Sequence, residues 1–262
     1  MNKTTATRAG NAGRVILITG GTSGMGFATA RQLLEGGDHV VITSRHEARL
    51  RQAAERLADV SDSGARLLTV RADAASLPDT DALMARVEER YGRLDGLFAN
   101  AGTGVFTSVE ETTEKDFDQL VDVNFKGVFF TIQKALPLLE AGEGGSVVIN
   151  ASWTLHRGVG AVVYAATKAA VHNFARSLGA HLAGRNIRVN SVSPGYIRTE
   201  MYDEAIPDDA GREATRVGPP LQRVGESEDV AEAVVFLLSA RSSYITGQDI
   251  AVDGGLVMKV PS

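Results

Sequence analysis

Two side chains that could carry proton chemistry stand four positions apart in the run YAATK at residues 164–168. A helix would place Tyr164 and Lys168 on one face, one turn from each other. An ammonium group that close should lower the pKa of the phenol from its reference value of about 10. Such a phenol can act as a general acid or base for a carbonyl and alcohol pair. The pair alone is equally typical of a solvated helix face. Whether it indicates catalysis therefore depends on Ser152 and Asn124 upstream and on the elements that position all four residues.

A glycine-rich turn near the N-terminus is one such element. The apolar run Arg14–Thr19 predicts a buried parallel strand, the turn TGGTSGMG occupies residues 19–26, and an amphipathic helix is predicted at Phe27–Glu35. A strand, a glycine-rich turn and a helix can place a pyrophosphate on the helix N-terminus. The spacing is Gly-x-x-x-Gly-x-Gly rather than the commoner Gly-x-Gly-x-x-Gly, and a glycine cluster can also be only a turn.

Strand-like runs alternate with helical periodicity along the chain, which predicts an α/β fold with a doubly wound, mostly parallel sheet of seven strands and helices on both faces. The further strands are predicted at 39–44, 66–70, 94–99, 146–151, 187–192 and 250–252, and the further helices at 46–58, 77–91, 117–139 (as two helices joined near Asn124) and 162–182. Ligands bind at the carboxyl ends of the strands in such sheets. The polar residues expected at those ends are Thr19, Ser44, Asp73, Asn100 and Ser152, with Pro194 beside them.

Composition and charge exclude several classes of protein. The 262 residues fit one α/β domain, and a net charge of −5 without a basic stripe gives no sign of nucleic-acid binding. The absence of cysteine rules out disulfides and thiol chemistry, and the five histidines lack metal-ligand spacing, so no metal is expected. No apolar run is long enough to span a membrane, and residues 1–13 lack a signal-peptide core. We therefore expect a disordered lead-in at 1–13, a single catalytic domain at 14–262 and a cytoplasmic location.

Taken together, the motifs resemble those of the short-chain dehydrogenase/reductase family, in its compact single-domain form. They occur in the order of that family and cover nearly the whole chain from residue 14. The matching motifs are TGGTSGMG at 19–26, Asp73, NAG at 100–102, Asn124, Ser152, YAATK at 164–168, SPG at 193–195 and ITGQ…VDGG at 245–255. Several independent motifs in register make a chance match very improbable. The resemblance implies a Rossmann-type fold and an oxidoreductase that uses a nicotinamide cofactor.

The resemblance also implies roles for four catalytic residues. Tyr164 would protonate the carbonyl oxygen during reduction, or accept the proton during oxidation, and Lys168 would lower its pKa and hold the nicotinamide ribose. Ser152 would donate to the carbonyl oxygen and polarise it. Asn124 would hold a water that passes protons from Lys168 to solvent. Hydride would pass between the nicotinamide and the substrate carbon, which is chemistry that the cofactor supplies.

The cofactor contacts that the resemblance implies are spread along the chain. They comprise a phosphate-binding loop, a contact of Asp73 with the adenine, and the floor of the site at 100–102. At the nicotinamide end, Thr199 would bind the carboxamide group of the nicotinamide and Ile197 would lie along its ring. The full set is Gly20, Thr22, Ser23, Gly24, Met25, Gly26, Ser44, Arg45, Ala72, Asp73, Asn100, Ala101, Gly102, Tyr164, Lys168, Pro194, Gly195, Ile197 and Thr199.

The end of the second strand indicates which nicotinamide cofactor is used. An acidic residue there would bind the ribose 2′-hydroxyl of NAD, whereas an arginine can accommodate the 2′-phosphate of NADP. This chain has Ser44 and Arg45, which can donate to and pair with a phosphate. Family members with arginine at this place usually prefer NADP, so NADP(H) is the predicted cofactor. The alternative is that Arg45 is a solvated residue at a helix start.

The loop between Ser152 and Tyr164 departs from the family pattern. The two residues are 12 positions apart (164 − 152), one fewer than in most members, which leaves the path of the loop open. Trp153 could line a substrate pocket or pack beneath the loop. His156 could be an auxiliary proton donor, although we favour an exposed loop histidine because nothing pairs with it in sequence.

The segment at about 196–221 is expected to form a lid over the substrate. It is acidic, which gives no reason to expect an anionic substrate, and Met201, Tyr202 and Ile206 offer apolar contacts. A neutral ketone, aldehyde or secondary alcohol is therefore preferred. The alternatives are an NAD-dependent alcohol or sugar dehydrogenase of the same family, a non-catalytic NADP-binding sensor, and a non-redox enzyme such as an epimerase. By resemblance, assembly is expected to be a homotetramer or homodimer. The segment at 249–260 could contribute to it, although a core strand explains most of its apolar character.

Overall fold

The structure, a computed structural model, describes residues 13–142 and 144–258. Its centre is a seven-stranded sheet in the order β3-β2-β1-β4-β5-β6-β7, and every pair of neighbouring strands is parallel. The strands are β1 (Val15–Ile18), β2 (His39–Ser44), β3 (Leu67–Arg71), β4 (Gly96–Ala99), β5 (Gly145–Asn150), β6 (Ile187–Pro194) and β7 (Asp249–Val252). The doubly wound parallel sheet predicted from the sequence is confirmed, and strand bounds differ by at most two residues at each end.

Helices cover both faces of this sheet. They are α1 (Gly24–Glu35), α2 (Glu47–Arg56), α3 (Leu77–Tyr91), α4 (Glu114–Val121), α5 (Val128–Ala141), α6 (Val162–Leu182), α7 (Glu200–Ala205), α8 (Asp209–Val217) and α9 (Ser227–Leu238). Helices α1, α2 and α9 bury apolar residues against one face, and α3, α5 and α6 against the other. Because successive side chains of a strand point to opposite faces, a strand buried on both sides must be apolar throughout. In β1, Ile16 and Ile18 face the first helix layer and Val15 and Leu17 the second.

The helical region around Asn124 is interrupted, as the sequence predicted. Helix α4 ends at Val121, a π-helical turn covers Asp122–Gly127, and α5 begins at Val128. Such turns insert one extra residue per turn and often occur at functional sites. The turn leaves Asn124 almost fully buried, at 1% exposure.

Three helices were not predicted from the sequence. Helix α9 packs along α1 and completes one face of the sheet, with Val230, Val234 and Leu237 fully buried. Helices α7 and α8 form the predicted lid. The predicted lead-in, apart from Gly13, and the last residues of the C-terminal segment lie outside the described residues. Of the helices that the structure describes, none is long and apolar enough to cross a membrane.

Candidate functional site

A cavity of about 810 Å³ opens where the strands end at their carboxyl termini. Nearly all of the site residues predicted from the sequence line it. They are Gly20, Thr22, Ser23, Gly24, Met25, Ser44, Arg45, Ala72, Asp73, Asn100, Ala101, Gly102, Ser152, Tyr164, Lys168, Pro194, Gly195, Ile197 and Thr199. Two predicted residues, Gly26 and Asn124, lie behind its wall. The topology therefore brings together residues that are up to 179 positions apart (199 − 20).

The glycine-rich turn forms a cradle at one end of the cavity. Gly20 has a φ of +66°, and its carbonyl accepts a hydrogen bond from Asn100 Nδ2 at 2.9 Å. A side-chain carbon on Gly26 would come within 2.3 Å of the Gly20 carbonyl oxygen, so Gly26 allows the turn to fold onto α1 rather than touching a ligand itself. At the start of α1, Ser23 makes no side-chain cap and the first turn has no acidic residue. The first-turn amides of α1 therefore lack the usual side-chain partner.

Basic residues flank the cavity at the end of β2. Ser44 Oγ accepts from the amide of His46 at 3.2 Å, and Arg45 Nε donates to His46 Nε2 at 3.1 Å. Arg45 is exposed. Arg49, on the first turns of α2, also lines the cavity and forms an ion pair with Glu200 of α7 at 2.7 Å. The end of β2 thus presents two guanidinium groups, one of which connects α2 to the lid.

The predicted adenine contact, Asp73, lies after β3 on the cavity wall. Its Oδ1 accepts from the amide of Ala75 at 2.9 Å, and its own amide donates to Asp79 Oδ2 at 2.9 Å. These bonds fix the turn between β3 and α3, so the Asp73 side chain is held at the strand end.

Tyr164 and Lys168 lie one turn apart near the start of α6, both buried, with 9% and 4% exposure. Lys168 Nζ donates to the backbone carbonyl of Asn150 at 2.8 Å and lies 5.8 Å from the centre of the Tyr164 ring. Burial lowers the pKa of Lys168 to about 8. Burial also raises the pKa of Tyr164 above its usual value, an effect that the Ser152 hydroxyl opposes. The pKa of Tyr164 therefore departs from its usual value in the direction opposite to the sequence expectation, because desolvation of the phenol outweighs the hydrogen bond with Ser152.

Ser152 lies two residues after the end of β5 and is 5% exposed. Its Oγ accepts hydrogen bonds from the amide of Thr154 at 3.3 Å and from Thr154 Oγ1 at 3.0 Å. A hydroxyl that accepts from two donors still has its own proton to donate into the cavity. The shortened loop forms a 3₁₀ turn at Trp153–His156 and joins α6 at Val162. Although this loop is one residue shorter than in most family members, Ser152 and Tyr164 both line the cavity.

Asn124 supports the cavity floor from behind. Its Oδ1 accepts from the amide of Thr103 at 2.8 Å, and its Nδ2 donates to the Thr103 carbonyl at 2.9 Å and to Thr167 Oγ1 at 3.3 Å. A side-chain carbon on Gly102 would lie 3.4 Å from Asn124 Oδ1 and 3.6 Å from Lys168 Nζ. The Asn124 side chain is therefore engaged with the Thr103 backbone, and its role in holding a water stays a prediction.

Asn150, the last residue of β5, was not predicted from the sequence as a site residue. Asn100 Nδ2 donates hydrogen bonds to two backbone carbonyls, of Thr19 at 3.1 Å and Gly20 at 2.9 Å. Both of its N–H groups are then used, so the group that accepts from Asn150 Nδ2 at 3.1 Å is Asn100 Oδ1. That arrangement fixes the orientation of the Asn150 amide. Among the described residues, no donor reaches the buried Asn150 Oδ1, although Asn150 lines the cavity. Only this amide network reveals the unpartnered acceptor, and no sequence motif carries such a signal.

The two loop residues left open by the sequence have different positions. Trp153 is half-buried, lines the cavity and packs against Tyr196, with ring centres 5.0 Å apart. His156 does not line the cavity, and its Nε2 lies 3.4 Å from Asp249 Oδ2. His156 therefore contacts β7 rather than a substrate. Its partner is 93 positions away (249 − 156), which is why the sequence showed none.

The lid consists of α7 and α8. Thr199 caps α7, since its Oγ1 accepts from the amide of Tyr202 at 3.2 Å. The Tyr202 hydroxyl lies 2.7 Å from Thr215 Oγ1, which ties α7 to α8. The apolar contacts predicted at Met201, Tyr202 and Ile206 all line the cavity. No three histidine, aspartate or glutamate side chains within residues 13–142 and 144–258 lie close enough together to hold a metal ion.

Comparisons with known proteins agree with this geometry. Residues 20–257 match the adh_short_C2 family model, described as enoyl-(acyl carrier protein) reductase. The chain is 37% identical over 245 residues to oxidoreductase asL5 of Sarocladium schorii, covering 93% of this chain and 96% of that protein. It is 37% identical over 250 residues to the 3-oxoacyl-[acyl-carrier-protein] reductase FabG of Thermotoga maritima, covering 94% and 98%. The crystal structure of levodione reductase superposes with a TM-score of 0.90 at 33% identity, covering 95% and 99%.

Proposed function

Since the chain belongs to the short-chain dehydrogenase/reductase family of nicotinamide-dependent oxidoreductases, we propose that it is an NADP(H)-dependent carbonyl reductase of class EC 1.1.1.-. In this proposal Tyr164 is the general acid of reduction and the general base of the reverse oxidation. The observation that carries it is the convergence of Tyr164, Ser152 and Lys168 on one cavity beside the glycine cradle. Three relatives named above are themselves called oxidoreductase or reductase.

The cavity fits a nicotinamide dinucleotide on its own geometry. The cradle at Gly20 and the free first turn of α1 suit a pyrophosphate, because helix N-termini attract anions. Asn150 Oδ1 is a buried acceptor that can accept a hydrogen bond from a ribose hydroxyl. Leaving such an acceptor unpaired costs about 1–3 kcal/mol, which favours a ligand that satisfies it.

The choice of NADP(H) rests on the end of β2. Ser44 and the exposed Arg45 lie on the cavity wall with no carboxylate at the strand end. A guanidinium can bind a 2′-phosphate by paired, charge-assisted hydrogen bonds. Arg49 lies nearby but is already paired with Glu200.

The protonation states suit reduction at neutral pH. Burial raises the pKa of Tyr164, so the phenol keeps its proton and can give it to a carbonyl oxygen. Ser152 donates to the same oxygen and stabilises the charge that develops there. Lys168 is cationic below about pH 8 and can reprotonate the site through neighbouring hydroxyls or water. When bound, the nicotinamide supplies the hydride to the carbonyl carbon, or accepts it in the reverse direction.

A titration followed by an activity assay tests this function. Purified full-length protein is titrated with NADPH and with NADH, and NADPH oxidation is then followed with ketones, aldehydes and diketones. We expect tighter binding of NADPH and its consumption in step with alcohol formation. Tight binding without turnover of any carbonyl would indicate a sensor, and a preference for NADH would contradict the role of Arg45. The proposal also includes a cytoplasmic location and a homotetramer or homodimer.

A further inference from the structure

The hydroxyl of Ser152 is bonded to two other residues that carry a hydroxyl group, Thr154 and Tyr164. Thr154 Oγ1 donates to Ser152 Oγ at 3.0 Å, and the backbone amide of Thr154 donates to the same oxygen at 3.3 Å. Ser152 also forms a hydrogen bond with the phenol of Tyr164. All three side chains are buried and line the cavity, so the chain of hydroxyls ends at the proposed proton donor.

The local backbone holds Thr154 against Ser152. The Ser152 side chain caps the 3₁₀ turn at Trp153–His156, which brings the backbone amide of Thr154 to Ser152 Oγ. At the other end of the turn, His156 Nε2 lies 3.4 Å from Asp249 Oδ2. Asp249 is itself fixed to β6, because its Oδ1 accepts from two serine hydroxyls of that strand at 2.6 Å and 3.0 Å. The turn that carries Thr154 is therefore anchored at both ends.

The two bonds from Thr154 determine how Ser152 uses its own proton. A serine hydroxyl has one proton to donate and two lone pairs that accept. Donors from Thr154 occupy both lone pairs, so Ser152 acts toward Tyr164 only as a donor. The phenol cannot then donate to Ser152, and its proton stays available for a carbonyl oxygen in the cavity. A hydroxyl that accepts hydrogen bonds is also a better donor, because neighbouring hydrogen bonds polarise one another.

From this geometry, and resting on the proposed reductase function, we propose that Thr154 is a positioning residue that fixes the direction of the hydrogen bonds at the proton donor. Thr154 acts through Ser152 rather than on the carbonyl. Without the Thr154 hydroxyl, one lone pair of Ser152 becomes free. The Tyr164 proton then has an alternative acceptor inside the protein, and Ser152 is a weaker donor to the carbonyl oxygen.

Two substitutions at position 154 separate the hydroxyl from the rest of the side chain. Thr154→Val keeps the branched shape and loses the hydroxyl. It should lower kcat for reduction about tenfold with the dissociation constant of NADPH unchanged, because one hydrogen bond of the site is lost. Thr154→Ser keeps the hydroxyl and should stay close to the wild type. A Thr154→Val variant as fast as the wild type, or a Thr154→Ser variant as slow as Thr154→Val, would overturn the role of the hydroxyl.

Thr80→Val is the matched control for the loss of a buried threonine hydroxyl. Thr80 is 3% exposed, lies on α3 outside the cavity and donates to the backbone carbonyl of Ser76 at 2.9 Å. This variant should keep the wild-type kcat. All rates are measured with the ketone, aldehyde or diketone that the wild type reduces fastest, and melting temperatures verify that each variant is folded.

A double-mutant cycle tests whether Thr154 acts through Ser152. Ser152→Ala removes a donor to the carbonyl oxygen and should lower kcat about a hundredfold or more. In that background Thr154→Val should cost less than about twofold, because the group through which Thr154 acts is already absent. A further tenfold loss in the double variant would show that Thr154 works independently of Ser152, which contradicts the proposal.

The pH dependence of alcohol oxidation provides a readout that a structural defect would not change. Tyr164 must lose its proton to act as the base, and a hydrogen bond donated to the phenolate favours that charged form. The rise of kcat/KM with pH should therefore move up by as much as about one pH unit in Thr154→Val and stay in place in Thr154→Ser and Thr80→Val. Lys168, the charged group beside Tyr164 on α6, is present in every variant and does not affect the comparison. A Thr154→Val profile that coincides with the wild type would refute the proposal.

A measurement without turnover separates failure of this proposal from failure of the reductase function. The chain has five tyrosines, so protein labelled with ¹³C at tyrosine Cζ gives few signals, and the Tyr164 signal is the one that Tyr164→Phe lacks. Its chemical shift depends on the hydrogen bonds of the phenol oxygen, so it should move in Thr154→Val and Ser152→Ala but not in Thr154→Ser or Thr80→Val. Such a change in a protein that reduces no carbonyl would support the positioning role and contradict the reductase function. Carbonyl reduction by the wild type, together with an unmoved Tyr164 signal in Thr154→Val, would do the reverse.

Discussion

The buried ammonium of Lys168 should make the stability of the protein rise with pH in a window that the structure defines. Burial lowers the pKa of Lys168 from 10.5 to about 8. Between these two values the unfolded chain binds more protons than the folded one, so raising the pH favours the folded state. The full shift corresponds to about 3.4 kcal/mol. About 2.5 kcal/mol of this is recovered between about pH 7 and pH 10, because the unfolded lysine is still mostly protonated at the upper limit.

Lys168→Met isolates this effect. Methionine has a similar length and no charge, so the variant should lack the rise, although it loses the hydrogen bond to the Asn150 carbonyl at every pH. The assay is urea unfolding of both proteins without cofactor at several pH values up to about 10, above which the raised pKa of Tyr164 introduces an opposite trend. The free energy of unfolding of Lys168→Met minus that of the wild type should fall by about 2.5 kcal/mol across this window. A difference that stays constant with pH would refute the reasoning, because every other titrating group is shared.

Four further predictions concern cofactor binding and catalysis. Tyr164→Phe should lower kcat for reduction by about a hundredfold to ten-thousandfold with NADPH binding retained, and activity close to wild type would exclude Tyr164 as the acid. Arg45→Asp should reverse the preference for NADP(H) by repelling the 2′-phosphate, measured as the ratio of NADPH and NADH dissociation constants; an unchanged ratio would place the phosphate elsewhere. Asn150→Leu should weaken NADPH about tenfold without a comparable effect on the KM of the ketone, which an equilibrium titration and a rate assay together can check. For the wild type, kcat/KM for reduction should fall as the pH rises through about 8, where Lys168 loses its proton, and a profile that stays flat beyond that pH would contradict a role for the charge.

The sheet could be predicted from the sequence because strands buried on both faces must be continuously apolar. Strand β2 and helices α3 and α6 have the predicted bounds. In each of them the pattern of apolar residues that is typical of that element continues without interruption from end to end. Helix α9 was not predicted from the sequence, although it is strongly apolar and buries Val230, Val234 and Leu237 against the sheet. Helices α7 and α8 are short and polar, and contacts such as the one between Tyr202 and Thr215 hold them together.

The residues around the site were predictable as a set, whereas their electrostatics were not. Spacing on one helix places Tyr164 beside Lys168, but only the fold shows that both are buried and that desolvation therefore determines their pKa values. The unpartnered oxygen of Asn150 and the contact of His156 with Asp249 likewise depend on groups far away in sequence. Local pattern thus identifies which groups can react, and long-range packing determines their protonation and partners.

The most direct test of the proposed function is NADPH oxidation by the purified full-length protein with a panel of ketones, aldehydes and diketones, run beside Tyr164→Phe at equal NADPH saturation. The account predicts that the wild type consumes NADPH and forms one alcohol for each cofactor oxidised, and that the variant binds NADPH but turns over at least about a hundredfold more slowly. A wild type that binds NADPH and reduces no carbonyl, or a variant as fast as the wild type, would contradict it.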